Sequence, residues 1–357
     1  MRRKTVGNSP KGDHRIFEIV EHGLLAEEMG FDVCQMAAPP VGLAGDDSEL
    51  RRRSEWRSPL TEYVLWAGTL GQASFEERLA ATAAAGCFGM SVFPWDSRPS
   101  GGHGSRAAEL RAQADDSGVR LVAVDPLSSW LPDWPPPTAS EWAIGVSPER
   151  VAYAELFATY SVDECLTLGS ELGADLVTVI EPYGRPVVID VAAAAFAEVC
   201  DRAAGHDLRV QLEFMPFSGV PDLRRAWEIV DLAGRTNGGL VIDAWHFFRG
   251  EPDLALLASL PGDKVFSLQL SDGPQCPEPD LWLAAARDRL LPGAGEFDLT
   301  TLLAAVRTHQ PRAVIGPEVV SAALAAMHPT QAALRAVGAT ASAVDAAAHL
   351  NLPPDDS

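Results

Sequence analysis

From about residue 60 onward the chain alternates short apolar runs with longer amphipathic stretches, and turn residues separate the two. Short apolar runs bounded by turn signals read as buried strands, and stretches with apolar positions three or four apart read as the helices that cover them. The first predicted strand is Tyr63–Gly68, with a helix over Phe75–Ala85, and the second is Phe88–Phe93, with a helix over Arg106–Ser117. The third is Val119–Asp125. It leads into a Trp- and Pro-rich excursion at 126–145, and then into one helix expected over Ala152–Leu172. Strands over Asp175–Ile180 and Leu208–Phe214 follow, each with a helix, Val191–Ala204 and Pro221–Ala233. Gly239–Asp243 is the sixth strand, with a short helix over Pro252–Ser259. Lys264–Leu270 is the seventh, followed by a long loop and a helix over Leu299–Thr308. Ala313–Ile315 forms the core of the eighth, and a helix over Thr330–Ala347 completes the series.

Eight strands alternating with helices across residues 59–350 predict an α/β chain folded as a (β/α)8 TIM barrel with an N-terminal extension. A doubly wound open sheet would need a glycine-rich nucleotide turn after the first strand, and Trp66-Ala67-Gly68-Thr69-Leu70-Gly71 does not supply one. Residues 1–58 lack the alternation. A helix is expected over Phe17–Met29 and a strand-like start at Gly30–Cys34, followed by Pro39-Pro40 and a polar stretch through Arg51-Arg52-Arg53. The expected organisation is therefore an extension and linker over 1–58 and a catalytic barrel over 59–350.

Composition narrows the partners. The 49 acidic against 28 basic residues give a formal charge of −21, which repels phosphate backbones and anionic lipid, so neither nucleic acid nor a membrane is an expected partner. The five cysteines (Cys34, Cys87, Cys165, Cys200, Cys276) are scattered, with no C-x-x-C spacing. That excludes a zinc knuckle and fits a reducing cytoplasm, the expected location. Met1-Arg2-Arg3-Lys4-Thr5 is basic but lacks the apolar stretch of a signal peptide, and no apolar run is long enough to span a bilayer. The extension is compatible with a homo-oligomer.

The chemistry lies at the strand ends. Glu213 follows Gln211-Leu212, Asp243 and His246 follow Val241-Ile242, Gln269 and Asp272 lie in Ser267-Leu268-Gln269-Leu270-Ser271-Asp272, and Glu318 follows Ile315-Gly316-Pro317. In a closed parallel barrel such ends converge on one face. Three carboxylates cannot share that pocket as anions without a cation, and one divalent ion would supply the charge. The same rim offers Trp66, Trp95 and Trp245 as pocket walls or plain core packing, and Glu181 and Arg185 as polar groups or plain turn residues.

Together with Arg289-Leu290-Leu291-Pro292-Gly293-Ala294-Gly295-Glu296-Phe297-Asp298-Leu299, these strand ends resemble the xylose-isomerase-like superfamily of sugar phosphate isomerases and epimerases, inosose-type isomerases and dehydratases. The resemblance covers about residues 60–340. It implies that Glu213, Asp243, Gln269 and Glu318 bind the metal. It gives Glu213, Glu318 and His246 as catalytic acid–base groups, and His246, Arg289 and Trp245 as contacts to a small polyhydroxylated substrate. An all-oxygen donor set suits Mn²⁺ or Mg²⁺, with Co²⁺ admissible. The implied reaction is metal-dependent isomerisation or epimerisation of a sugar, sugar phosphate or cyclic polyol. It would begin by proton abstraction beside a carbonyl, with the ion stabilising the enediolate. Many members carry His where Gln269 stands. A glutamine there is similar to the 3-dehydroshikimate dehydratases, so a lyase is the alternative, and a non-catalytic ligand-binding barrel is a third.

Overall fold

The eight runs form eight parallel strands in sequential order, β1 (Val64–Leu65), β2 (Gly89–Val92), β3 (Arg120–Leu127), β4 (Leu176–Val179), β5 (Arg209–Leu212), β6 (Gly238–Asp243), β7 (Val265–Leu270) and β8 (Val314–Pro317). The computed structural model describes residues 63–98, 105–132 and 146–348, so the expected extension with its helix and strand-like start lies outside the described residues. The sheet closes where Tyr63 bridges Ile315 and the Trp66 amide donates to the Pro317 carbonyl at 3.2 Å. That seam requires a glycine, since a Cβ on Gly316 would lie 1.7 Å from the Val64 carbonyl oxygen. Nearly every strand residue is buried, as expected of parallel strands covered on both faces.

The helices are α1 (Phe75–Ala84), α2 (Ala107–Asp116), α3 (Pro148–Phe157), α4 (Val162–Leu172), α5 (Ile189–Ala204), α6 (Leu223–Ala233), α7 (Ala244–Arg249), α8 (Leu254–Ser259), α9 (Leu281–Arg287), α10 (Leu299–His309), α11 (Ala322–Ala325) and α12 (Pro329–Ala348). The single helix expected over 152–172 is two. Ser161 and Glu164 form a capping box that satisfies the first amides of α4, so the backbone restarts there instead of running through. The segment after β6 and the expected loop after β7 each contain a short helix, α7 capped by Asp243 and α9 capped by Asp280. Among the described residues no helix is long and apolar enough to cross a membrane.

Candidate active site

Because β5 to β8 are parallel neighbours, their C-terminal ends meet at one mouth. Asp243 is the last residue of β6 and lies in register with Gln269 of β7, which lies in register with Gly316 of β8. Glu213 follows β5, and its amide bonds the Val179 carbonyl of β4 at 3.0 Å. Glu318 follows β8, with its amide on the Leu270 carbonyl at 2.9 Å. An added Cβ on Gly68 would lie 2.9 Å from Glu318 Oε1, so this glycine leaves the glutamate its space.

Donor atoms of Glu213, Asp243 and His246 lie within 4.8 Å of one another, all three side chains being buried. His246 enters through the cap of α7, where Asp243 Oδ1 accepts from its amide at 3.0 Å, and its Nε2 lies 3.5 Å from Glu213 Oε1. Arg289 runs through the cluster. Its Nη1 donates to Asp243 Oδ2 at 2.6 Å and to the Glu318 carbonyl at 3.2 Å, and lies 3.6 Å from Glu318 Oε2. Its Nε is anchored on the Ala285 carbonyl of α9 at 2.9 Å, and its Nη2 lies 3.3 Å from His246 Nε2. A guanidinium only donates, so His246 Nε2 accepts there and the ring carries its proton on Nδ1.

The electrostatics follow from burial. Burial, then the charges of Asp125 and Asp243, raise the Glu213 carboxyl well above the usual carboxylate range. Burial raises Glu318 likewise, against the pull of Arg289. For Asp243 burial pushes up, but Arg289, His246 and the hydrogen bonds outweigh it and hold the group at about 2. Burial lowers His246 to about 3, so the ring is neutral at ordinary pH.

A fit to a cation shows in polar atoms that the protein leaves unpaired. Gln269 is fully buried, yet among the described residues neither its Nε2 nor its Oε1 has a hydrogen-bond partner. Buried polar groups are otherwise almost always paired. Carboxylates, an amide oxygen and an imidazole converging here make a donor set for one divalent ion.

Other expected residues fall around this centre. Trp245 is buried under α9, packed on Ala284 and Ala285, with Arg289 5.7 Å from its ring. Trp66 points into the barrel with Val64, Ala123 and Leu176. Trp95 belongs to a row of rings. It stacks on Phe93 at 4.5 Å and on Phe157 at 5.9 Å, Phe157 meets Tyr153 at 5.9 Å, and Tyr153 meets Trp282 of α9 at 5.8 Å. Two carboxylates of the rim serve loops instead. Asp272 accepts from the amides of Gly273, Gly293 and Phe297, and Glu181 from those of Tyr183, Gly184, Arg185 and Gly219. Asp125 of β3 went unnoticed in the sequence, although Leu121–Val124 followed by an acid is the same signal as at the other strand ends. Burial and the Asp243 charge raise its carboxyl to about 7.

This fold and mouth have relatives. The chain belongs to the xylose isomerase-like TIM barrel family, whose model matches residues 79–341. It is 29% identical over 236 residues to a 3-dehydroshikimate dehydratase of Pseudomonas aeruginosa, covering 64% of this chain and 33% of that protein. It is 28% identical over 164 residues to an inosose isomerase of Bacillus velezensis, covering 44% of this chain and 58% of the relative. The matches thus span a third of the dehydratase and little more than half of the isomerase. Among solved structures, an IOLI protein with a bound zinc atom superposes with a TM-score of 0.67 at 18% identity, over 82% of this chain and 100% of that one. An L-ribulose 3-epimerase gives 0.57 at 15% identity, over 81% and 96%. At such identities the likeness is one of fold.

Proposed function

We propose that this chain is a divalent-metal-dependent isomerase or epimerase of a sugar, sugar phosphate or cyclic polyol that takes the proton beside a carbonyl. One observation carries the reading: a fully buried, unpartnered Gln269 amide flanked in register by Asp243, at a mouth where Glu213, Glu318, His246 and Arg289 also converge. Glu213, Asp243, Gln269 and Glu318 would hold the ion, with His246 within reach of the same place; Mn²⁺ or Mg²⁺ suits the oxygen set and Co²⁺ is admissible. When bound, the ion supplies Lewis acidity that makes the substrate's α-proton easier to remove.

The side chains do the rest. Arg289, fixed on Asp243, the Glu318 carbonyl and the Ala285 carbonyl, holds a permanent positive charge beside the substrate's oxygens. A buried glutamate, Glu213 or Glu318, is the base, because burial raises its basicity. The other glutamate or His246 returns the proton. His246 is neutral, so it serves as a hydrogen-bonding group through its free Nδ1. Return of the proton to the neighbouring carbon isomerises, return to the opposite face epimerises, and loss of a β-hydroxyl dehydrates. The relatives that carry an enzyme's name support an enzyme here, and a small polyhydroxylated substrate fits the polar mouth.

A dehydratase reading has its own support in Gln269 and in the alignment with the Pseudomonas protein over 64% of this chain. The two are separated by incubating Mn²⁺-loaded protein in D₂O with a panel of ketoses and inososes, and separately with 3-dehydroshikimate. Deuterium entering beside the carbonyl without loss of water is expected. Growth of ultraviolet absorbance with 3-dehydroshikimate alone would move the assignment to the lyase, and neither signal would remove both.

A further inference from the structure

Below the mouth lies a polar chain that the strand-end groups do not use. Ser267 Oγ of β7 donates to Gln211 Oε1 of β5 at 2.7 Å, and Gln211 Nε2 donates to Thr178 Oγ1 of β4 at 2.9 Å. Thr178 lies beside Asp125 of β3, since Val124 is in register with Val177 and Leu127 with Val179, and its hydroxyl acts on that carboxyl. Gln211 fills the acceptor role of the Thr178 hydroxyl, which leaves the hydroxyl proton available to Asp125. Barrel interiors of this type are filled mostly by bulky branched side chains, and a buried polar chain needs a reason to persist. It is not a route for protons to solvent, since Ser267, Gln211 and Thr178 are all 0% exposed. What remains is orientation: the chain fixes one carboxyl, that of Asp125.

Asp125 has none of the partners that explain a structural aspartate. Asp272 and Glu181 each tie several backbone amides, whereas Asp125, only 7% exposed, has the Thr178 hydroxyl and no cation or amide among the described residues. The charged groups that feel it are acids, Glu213, Asp243 and Glu318. A fourth acid beside three others favours a bound cation over an empty pocket. It is not one of the three groups with donor atoms within 4.8 Å of one another, so it works from outside the ligands.

We propose that Asp125 is a further carboxylate of the active site, a positioning residue held in place by the Ser267–Gln211–Thr178 chain to strengthen the cluster's grip on a divalent cation. The inference rests on the reading of the mouth as a cation site. Its test is calorimetric titration of the chelator-stripped full chain with Mn²⁺, alongside Asp125→Asn, Thr178→Val and Thr178→Ser, with thermal melting of each ion-free form. Asp125→Asn is expected to bind Mn²⁺ about ten- to a hundredfold more weakly, while its ion-free form melts at or above the wild-type temperature. Thr178→Val should weaken binding in the same direction, and Thr178→Ser, which keeps the hydroxyl, should restore it. Asp125→Asn binding Mn²⁺ as tightly as wild type while melting lower would mark a structural aspartate and overturn the assignment. If the wild-type chain takes up no Mn²⁺, the cation reading falls and this inference with it. If wild type binds and Asp125→Asn binds equally, only the assignment of Asp125 falls.

Discussion

Two buried glutamines at opposite ends of the barrel show what separates a structural polar group from a functional one. Gln310, 1% exposed, lies at the end where the strands begin. Its Oε1 accepts from the Val265 amide at 3.2 Å and its Nε2 donates to the Leu260 carbonyl at 3.3 Å. Gln269, 0% exposed, lies at the end where the strands finish, and among the described residues neither of its polar atoms is paired. The same contrast extends to their neighbours. At the lower end Lys264 Nζ donates to the carbonyls of Arg235 and Gly238, and Asn237 donates to those of Cys200 and Leu208. At the upper end several acids crowd around one arginine, and His246 Nδ1 is free. An unpaired buried amide costs stability. The same side chain is thus paired at one end and left unpaired at the other, as the proposed cation site at the upper end requires.

Substitutions can break that contrast or sharpen it. The largest effect is expected from Glu318→Gln, which should lower turnover about a thousandfold while the ion-free chain still folds, as steady-state rates and circular dichroism would report. Gln310→Leu should cost about 2–3 kcal/mol in denaturant unfolding, because it strands the Val265 amide and the Leu260 carbonyl, and should leave Mn²⁺ affinity unaltered. Gln269→Leu should do the reverse, weakening Mn²⁺ about tenfold or more with ion-free stability equal to or above wild type. A chain in which both glutamines behaved alike would dissolve the distinction.

Proton linkage distinguishes the ends more gently. Asp125 has its folded value raised from the ordinary 3.8 to about 7. A carboxyl raised on folding favours the folded state fully below its unfolded value, and that contribution is lost as pH rises through the folded value. The ion-free protein should therefore melt at falling temperatures as pH goes from about 4 to above 7, and saturating Mn²⁺ should flatten the slope. The smallest effect belongs to the lower end's surface pair, Arg120–Asp175, 2.8 Å apart with side chains 60% and 43% exposed. Arg120→Ala should cost about 0.2–1 kcal/mol, and less in high salt.

Most of this architecture was legible in the residues. Short apolar runs located all eight strands to within a few positions, since parallel strands buried on both faces leave an unbroken apolar signature. Helices α7 and α9 were not legible: six or seven residues make too few turns for a period to stand out. The break between α3 and α4 was hidden because the helical period carries across it, and only the Ser161–Glu164 box marks it. At the site, Glu213, Asp243, His246, Arg289 and Glu318 come together as their strand ends and motif implied. Asp272 and Glu181 carried the same letters at the same rim and hold loops instead, a difference visible only in their amide partners. Asp125 closes the expected third strand, but it stands outside the quoted motifs and ahead of Pro126, where an acid reads equally well as a turn residue.

The most direct test of the account is manganese binding by the stripped wild-type chain, with bound ion per chain and released protons counted together. One ion per chain is predicted, with protons released on binding, because burial raises these carboxyls in the empty pocket and the ion favours their charged form. No bound ion, or binding that persists unchanged when Glu213 and Glu318 are both replaced by glutamine, would contradict it.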